Sequence, residues 1–133
     1  LCEASIAYSM MGSPYWMAPE VLQASIDKKS GYNSSVDIWS LGCTVIQMFT
    51  GKQPWSDLAP AAALFKVLHE SPQLPEALSF EGKDFLKHCF CRNPEERPSA
   101  SDLMKHPFVT THFHQYNNIH SSVKVFAQKK PFR

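Results

Sequence analysis

Blocks of apolar residues, separated by polar and proline-containing stretches, predict helices along most of this chain. The longest block runs from Ser35 to Thr50 and is followed by Gly51, a residue that commonly stops a helix. A helix that is apolar on all sides is normally buried in the middle of a domain. We therefore predict a central buried helix here, because apolar residues cover nearly its whole circumference: Val36, Ile38, Trp39, Leu41, Val45, Ile46, Met48 and Phe49.

The start of this helix and the remaining helices follow from weaker signals. Ser34 precedes Asp37 by three residues, a spacing that resembles a capping box and places the helix start at Ser34 or Ser35. Strand signals are nearly absent, so the pattern predicts a mainly α fold. Four further segments have helical patterns and are separated by loops that contain proline: Ala18–Ala24, Ala61–Glu70, Phe80–Cys91 and Ser99–Lys105.

Composition changes this picture mainly by exclusion. The 133 residues are 44% hydrophobic, enough for one ordinary domain with a core. A net charge of +1 gives no field suited to nucleic acid or an acidic membrane, and no apolar run is long enough to span a bilayer. We expect no nucleic-acid partner, no membrane span and a cytoplasmic location. The start at Leu1 carries no leader pattern, and we interpret the chain as a fragment.

The residues that could bind metal do not form a ligand pattern. The four cysteines show no regular spacing and are interpreted as reduced thiols of a cytosolic protein. We therefore expect no metal site, although histidines are concentrated near the C-terminus: His106, His112, His114 and His120. The final residues are interpreted as a solvated, mildly basic tail that contains Lys124, Lys129, Lys130 and Arg133.

Four motifs occur in the order found in protein kinases. They are Gly12–Glu20, which ends in Ala-Pro-Glu, Val36–Cys43, Thr50–Trp55, and Arg92–Pro98 with the His-Pro-Phe that follows it. Together they resemble the end of the activation segment and the helices after it in a protein kinase. Finer features resemble plant-type MAP kinase kinase kinases, which are Ser/Thr kinases: Gly12–Met17, Gln23–Tyr32, Met48–Lys52 and Glu81–Leu86.

This resemblance implies the distal part of a protein-kinase-like C-lobe, with helices packed around one central buried helix. It divides the chain into residues 1–109, a partial protein kinase domain, and residues 110–133, a flexible C-terminal tail. The parent protein would transfer the ATP γ-phosphate to Ser/Thr residues of MAP kinase kinases with the help of Mg²⁺. A docking surface for that substrate is expected near Ala61–Glu70.

The resemblance also assigns roles to single residues. Glu20 and Arg97 match the ion pair that holds the activation segment to the helical lobe, and Asp37 matches the residue that accepts hydrogen bonds from the catalytic loop. Asp37 has a second interpretation, a carboxylate that only stabilises the helix N-terminus. The substrate-binding loop, which would accept the residue after the phosphoacceptor, is expected to consist of Gly12, Ser13, Pro14 and Trp16.

Two serines before this loop are candidate regulatory phosphosites. A phosphate on Ser5 or Ser9 could order the loop against basic residues. The alternative is that both are ordinary loop serines, because turns favour serine without any modification.

The motifs that hold ATP and metal are not found in these residues. The sequence has no G-x-G-x-x-G loop, no V-A-I-K lysine, no H-R-D and no D-F-G, so we expect no catalytic residue, no cofactor and no activity in this chain alone. ATP, Mg²⁺ and the missing N-terminal part of the kinase domain would belong to the parent. The alternative function is a non-catalytic docking or competitor module from a truncated gene product.

Overall fold

The computed structural model describes residues 14–26 and 33–111. The predictions for Ser5, Ser9, Gly12 and Ser13, and for the tail beyond residue 111, lie outside the described residues. The chain divides into two compact units, residues 1–99 and 100–133.

The described residues form helices and loops, and no strand occurs among them. The prediction of a mainly α fold is therefore confirmed. A 3₁₀ helix precedes α1 and another follows α4, so that the elements are, in chain order, Pro14–Trp16, α1 (Pro19–Ile26), α2 (Ser35–Thr50), α3 (Pro60–His69), α4 (Phe80–Cys89), Pro94–Glu96 and α5 (Ala100–Leu103). In the ranges that are described, no helix is both long and apolar enough to cross a membrane.

Helix α2 is the centre of the first unit. It packs against α4, against both 3₁₀ helices and, through Trp39, against the ring of Phe90 at 5.1 Å between centroids. Trp39 is 0% exposed. At Gly42 the two helices approach so closely that an added Cβ would lie 2.8 Å from the ring of Phe90 and 2.9 Å from the Cβ of Cys89. Only glycine fits at this crossing of α2 and α4.

One side of α2 is not covered by the described residues. Leu41, Met48 and Phe49 are exposed, whereas Ile38, Cys43 and the other side of the helix are buried. Burial on all sides, expected from the apolar composition, is corrected at these three positions. The physical reason is that apolar composition reports how much surface a helix needs to cover and does not report which neighbours are present to cover it.

The start of α2 also differs from the capping box expected at Ser34. Ser34 has helical backbone angles, φ −60° and ψ −10°, and its side chain makes no capping hydrogen bond. A capping side chain normally belongs to a residue with extended backbone, because only then does it reach back to the free N–H groups. Asn33 supplies the contact instead: its Oδ1 accepts from the Ser35 N–H at 2.9 Å.

The other helix ends have conventional signals. Gly51 ends α2 with φ 74°, a left-handed conformation that glycine adopts at low cost, and its N–H donates to the Gln47 carbonyl at 2.8 Å. Helix α3 begins at Pro60. Ser79 caps α4, since its Oγ accepts from the Gly82 N–H at 3.1 Å.

Candidate functional site

The segment that begins at Pro14 forms one wall of a small apolar cavity. The 3₁₀ helix Pro14–Trp16 packs on both α2 and α3, and α1 follows directly at Pro19. Pro14 is buried and Trp16 is half-buried. The cavity has a volume of about 200 Å³ and is lined by Trp16, Met17, Ala18, Val21, Val36 and Ser40. Such a lining suits one apolar side chain of a ligand.

Two hydrogen bonds from side-chain hydroxyl groups to backbone carbonyls hold this segment in place. The Ser40 Oγ on α2 donates to the Trp16 carbonyl at 2.8 Å. The Tyr15 hydroxyl donates to the Leu58 carbonyl at 3.0 Å, in the loop before α3. Both contacts join residues far apart in sequence, so the conformation of Pro14–Trp16 depends on α2 and on the loop before α3.

Glu20 and Arg97 form a bidentate ion pair. The Arg97 Nη1 donates to Glu20 Oε1 at 2.5 Å and the Nη2 donates to Oε2 at 2.9 Å. The side chain of Arg97 is 0% exposed and that of Glu20 is 14% exposed. A guanidinium fits a carboxylate in this fork arrangement, and burial leaves few competing water molecules.

Arg97 makes two further hydrogen bonds, both to backbone carbonyls. Its Nη1 donates to the Ser35 carbonyl at 2.9 Å and its Nε to the Cys91 carbonyl at 2.8 Å. The guanidinium carbon lies 5.2 Å from the centroid of the Trp39 ring. Arg97 therefore connects α1, the start of α2 and the end of α4.

A second arginine, Arg92, lies over the same indole at 5.8 Å and caps α3. Its Nη1 donates to the carbonyls of Val67 at 2.7 Å and Glu70 at 2.9 Å, and its Nη2 donates to that of Leu68 at 2.5 Å. The carbonyls of Val67 and Leu68 belong to the last turn of α3, where intrahelical donors run out, and that of Glu70 follows the helix directly. Burial and, secondly, the charge of Arg97 lower the pKa of Arg92.

Two buried thiols lie near this cluster. Burial is the main cause that raises the pKa of Cys43 and of Cys89 to about 12, and a neighbouring cysteine adds to it in each case. The charge of Arg97 acts in the opposite direction on Cys89. Both thiols therefore stay protonated near neutral pH and serve as core residues.

The other residues that the sequence selected are not part of this cluster. Asp37 is exposed in the first turn of α2, and its side chain has no hydrogen bond or ion pair among the described residues. Trp16 lines the cavity and Pro14 is buried in the same 3₁₀ helix, whereas Gly12 and Ser13 lie outside the described residues. Arg92, Ser40 and Tyr15 were not singled out from the sequence, because their acceptors are backbone carbonyls that no sequence motif reveals.

Comparison with known proteins identifies the family of this arrangement. The family model for the protein kinase domain matches residues 2–109. The chain belongs to the protein kinase family. The predicted resemblance to protein kinases is therefore confirmed.

Several similar proteins are named as MAP kinase kinase kinases. The chain is 60% identical over 103 residues to mitogen-activated protein kinase kinase kinase 5 of Arabidopsis thaliana, an alignment covering 76% of this chain and 14% of that protein. It is 48% identical over 107 residues to mitogen-activated protein kinase kinase kinase 3 of the same plant, covering 79% of this chain and 17% of that protein. The yeast serine/threonine-protein kinase BCK1/SLK1/SSP31 is 48% identical over 106 residues, covering 75% and 7%.

These identities confirm the predicted resemblance to plant-type MAP kinase kinase kinases. The chain spans less than a fifth of the length of each of these relatives, from 7% to 17%. The activity of a whole protein is therefore a separate question from family membership.

Proposed function

We propose that this chain is the distal C-lobe of a Ser/Thr kinase that phosphorylates MAP kinase kinases. In this proposal residues 1–109 belong to the kinase domain and residues 110–133 form a tail. ATP and Mg²⁺ are bound by the rest of the kinase domain, which supplies the groups for phosphoryl transfer. This chain supplies the substrate-binding loop and the helical scaffold under it.

The observation that supports this function best is the way in which the segment Pro14–Trp16 is held against α2 and α3. The segment borders an apolar cavity of about 200 Å³, and the next helix is joined to the core by the pair of Glu20 and Arg97. A loop that selects a substrate residue must be held rigidly, because misplacement of the substrate lowers the rate steeply. The proposed ligand of the cavity is an apolar side chain directly after the phosphoacceptor, with Gly12 and Ser13 completing the loop.

Filling the cavity tests this role in the full kinase that contains these residues. We expect Val36→Phe to raise the KM for a MAP kinase kinase and to leave the KM for ATP unchanged, because Val36 lines the cavity. Val109→Phe is the matched control, since Val109 is exposed and does not line it. An unchanged protein-substrate KM in Val36→Phe would overturn the role of the cavity.

The exposed stripe of α2 fits an interface with the rest of the kinase domain. Asp37, Leu41, Thr44 and Met48 recur at helical spacing on one exposed face. In the proposed function Asp37 accepts hydrogen bonds from the catalytic loop and the apolar residues are covered beside it. We expect Asp37→Ala in the full kinase to lower kcat, whereas Asp57→Ala, on an exposed loop, should not.

A non-catalytic docking or competitor module is the second candidate function. The observation in its favour is the exposed face of α3, where Phe65 is 63% exposed and its ring lies 4.5 Å from that of His69. Such a module would bind a MAP kinase kinase without phosphorylating it. Phe65→Ala should weaken binding of the chain to a MAP kinase kinase, and Phe80→Ala, 83% exposed on another helix, is the control.

The proposed regulatory serines precede the described residues. We propose that phosphate on Ser5 or Ser9 raises the activity of the full kinase by ordering the substrate-binding loop. Ser5→Ala and Ser9→Ala are made as separate variants of the full kinase. We expect lower kinase activity only in the variant that lacks the phosphorylated serine. Equal activity of both variants and the wild type after activation would support ordinary loop serines.

A further inference from the structure

The segment after α3 combines a modifiable residue with a cation that holds the helix end. Ser71 is exposed and is followed by Pro72, so the dipeptide has the form that proline-directed Ser/Thr kinases select. Residues 70–75 form neither helix nor strand. Glu70 has extended backbone angles, φ −131° and ψ 157°, and a residue before proline favours the same region.

The guanidinium of Arg92 is hydrogen-bonded to the peptide group that joins Glu70 to Ser71. Arg92 donates at 2.9 Å to the Glu70 carbonyl, which is bonded directly to the Ser71 nitrogen. The Ser71 Oγ itself donates to the Phe90 carbonyl at 3.4 Å, a long hydrogen bond. Ser71 therefore contributes one weak contact to the closed form of the segment.

We propose that Ser71 is a phosphorylation site for a proline-directed Ser/Thr kinase, and that its phosphate releases Arg92 from the end of α3. The proline-directed kinase transfers the γ-phosphoryl group of ATP to Ser71. A bond forms between Ser71 Oγ and the γ-phosphorus, the bond from that phosphorus to the β,γ-bridging oxygen breaks, the hydroxyl proton passes to the base of that kinase, and ADP leaves. This inference does not depend on the proposed function of this chain.

Phosphorylation requires the segment to open, because Pro72 is buried. Pro72 lines a cavity of about 190 Å³ with Ser71, Leu74, Lys87 and Phe90. Segments with few backbone hydrogen bonds open at low free energy compared with helices. Opening at Ser71 breaks the long hydrogen bond to Phe90 and exposes the proline to the kinase.

The phosphate prevents the segment from closing in the same way. A phosphoserine near neutral pH offers only acceptor oxygens, so it cannot donate to the Phe90 carbonyl again. It also places negative charge beside the carbonyl end of α3, where negative charge is unfavourable. Arg92 is already hydrogen-bonded to this peptide, and a phosphate attracts a guanidinium more strongly than neutral carbonyls do. The last turn of α3 then loses its cap.

Mass spectrometry of the purified chain tests the modification site. The chain is incubated with ATP and, separately, with an activated MAP kinase or a cyclin-dependent kinase, and peptide mapping locates the added phosphoryl group. We expect modification at Ser71 by at least one of them, and its loss in Ser71→Ala and in Pro72→Ala. Mapping separates Ser71 from Ser13, which also precedes a proline. Absence of phosphate at Ser71 with both kinases overturns the proposal.

Hydrogen exchange tests the effect on α3. In the phosphorylated chain we expect the amides of Leu68 and Glu70 to exchange about two- to fivefold faster, the size expected for unfavourable charge at a helix C-terminus. In Arg92→Ala these amides should exchange faster before phosphorylation, and phosphate should add less. An unchanged exchange rate, or an equal increase with and without Arg92, overturns the release of Arg92. Kinase-treated Ser71→Ala is the control.

Discussion

Arg97 and Arg92 place their charges over the same indole, and their surroundings differ. Their guanidinium carbons lie 5.2 and 5.8 Å from the centroid of the Trp39 ring. Arg97 has a side chain that is 0% exposed and binds the carboxylate of Glu20. Arg92 is an exposed residue, and its guanidinium donates hydrogen bonds to backbone carbonyls of α3.

The difference shows how burial determines the partner that a cation needs. A fully buried guanidinium loses its hydration and is stable only beside an opposite charge with all donors satisfied. A partly hydrated guanidinium can be satisfied by the negative end of a helix. Arg97 therefore links distant elements of the unit, whereas Arg92 acts locally on one helix end.

The largest effect is expected from removing the charge that Arg97 depends on. Glu20→Gln should destabilise the protein by about 3–5 kcal/mol, because it leaves a buried guanidinium without a counter-charge. Urea denaturation measures this change in the free energy of unfolding. Glu95→Gln, at an exposed residue, is the matched control and should change it little. A loss below 1 kcal/mol, as for surface pairs, would contradict the distinction between the two arginines.

A smaller effect is expected when the charge is kept and the geometry is lost. Arg97→Lys should cost about 1.5–3 kcal/mol, because an ammonium cannot bind both carboxylate oxygens and the carbonyls of Ser35 and Cys91 together. Arg92→Lys is the matched comparison and should cost less. Equal losses in the two lysine variants, measured by the same denaturation, would show that burial does not separate the two sites.

Removal of Arg92 should have a local effect. We expect Arg92→Ala to destabilise the last turn of α3 by about 1 kcal/mol and to speed exchange mainly there, because its carbonyls lose their donor. Hydrogen exchange followed by residue distinguishes this from global unfolding. Lys87→Ala, an exposed cation on α4, is the control. Uniformly faster exchange across α2 would contradict a local role.

The smallest effect at neutral pH concerns the thiols. Because the pKa of Cys43 and Cys89 is raised to about 12, they should alkylate more slowly than half-buried Cys91 in the folded protein. Their contribution to stability is present below the ordinary thiol pKa of 9.0 and is lost as pH rises from there towards 12. Mass-resolved alkylation and alkaline denaturation measure these effects.

The same thiols sharpen the comparison of the arginines. Glu20→Gln should speed alkylation of Cys43 and Cys89, because loss of the buried pair increases opening of the unit. Arg92→Ala should leave both rates nearly unchanged. Faster alkylation in both variants would mean that Arg92 also holds the core closed.

The sequence predicted elements and motifs better than individual contacts. Apolar periodicity located α2 to within a residue, since a long apolar helix followed by glycine is a strong pattern. It did not predict the exposed Leu41 and Met48, because coverage depends on neighbours. It expected a capping hydrogen bond from the Ser34 side chain, whereas Ser34 makes none and the Asn33 Oδ1 accepts from the Ser35 N–H.

The candidate site shows the same limit. Glu20 and Arg97 were selected because each lies in a recognisable motif, and they are hydrogen-bonded. Arg92 lies in the same motif as Arg97, yet nothing in the letters distinguishes a cation that binds a carboxylate from one that binds carbonyls. Tertiary geometry makes that distinction.

The hydroxyl contacts of Tyr15 and Ser40 have a consequence for how this surface can diversify. Both contacts end on main-chain oxygens, those of Leu58 and Trp16, which every amino acid provides. Side chains at the accepting positions can therefore be exchanged without removing either anchor. The attachment of the segment is therefore independent of the side chains at the accepting positions. Related proteins can keep these two hydrogen bonds while differing in the side chains that they present at this surface.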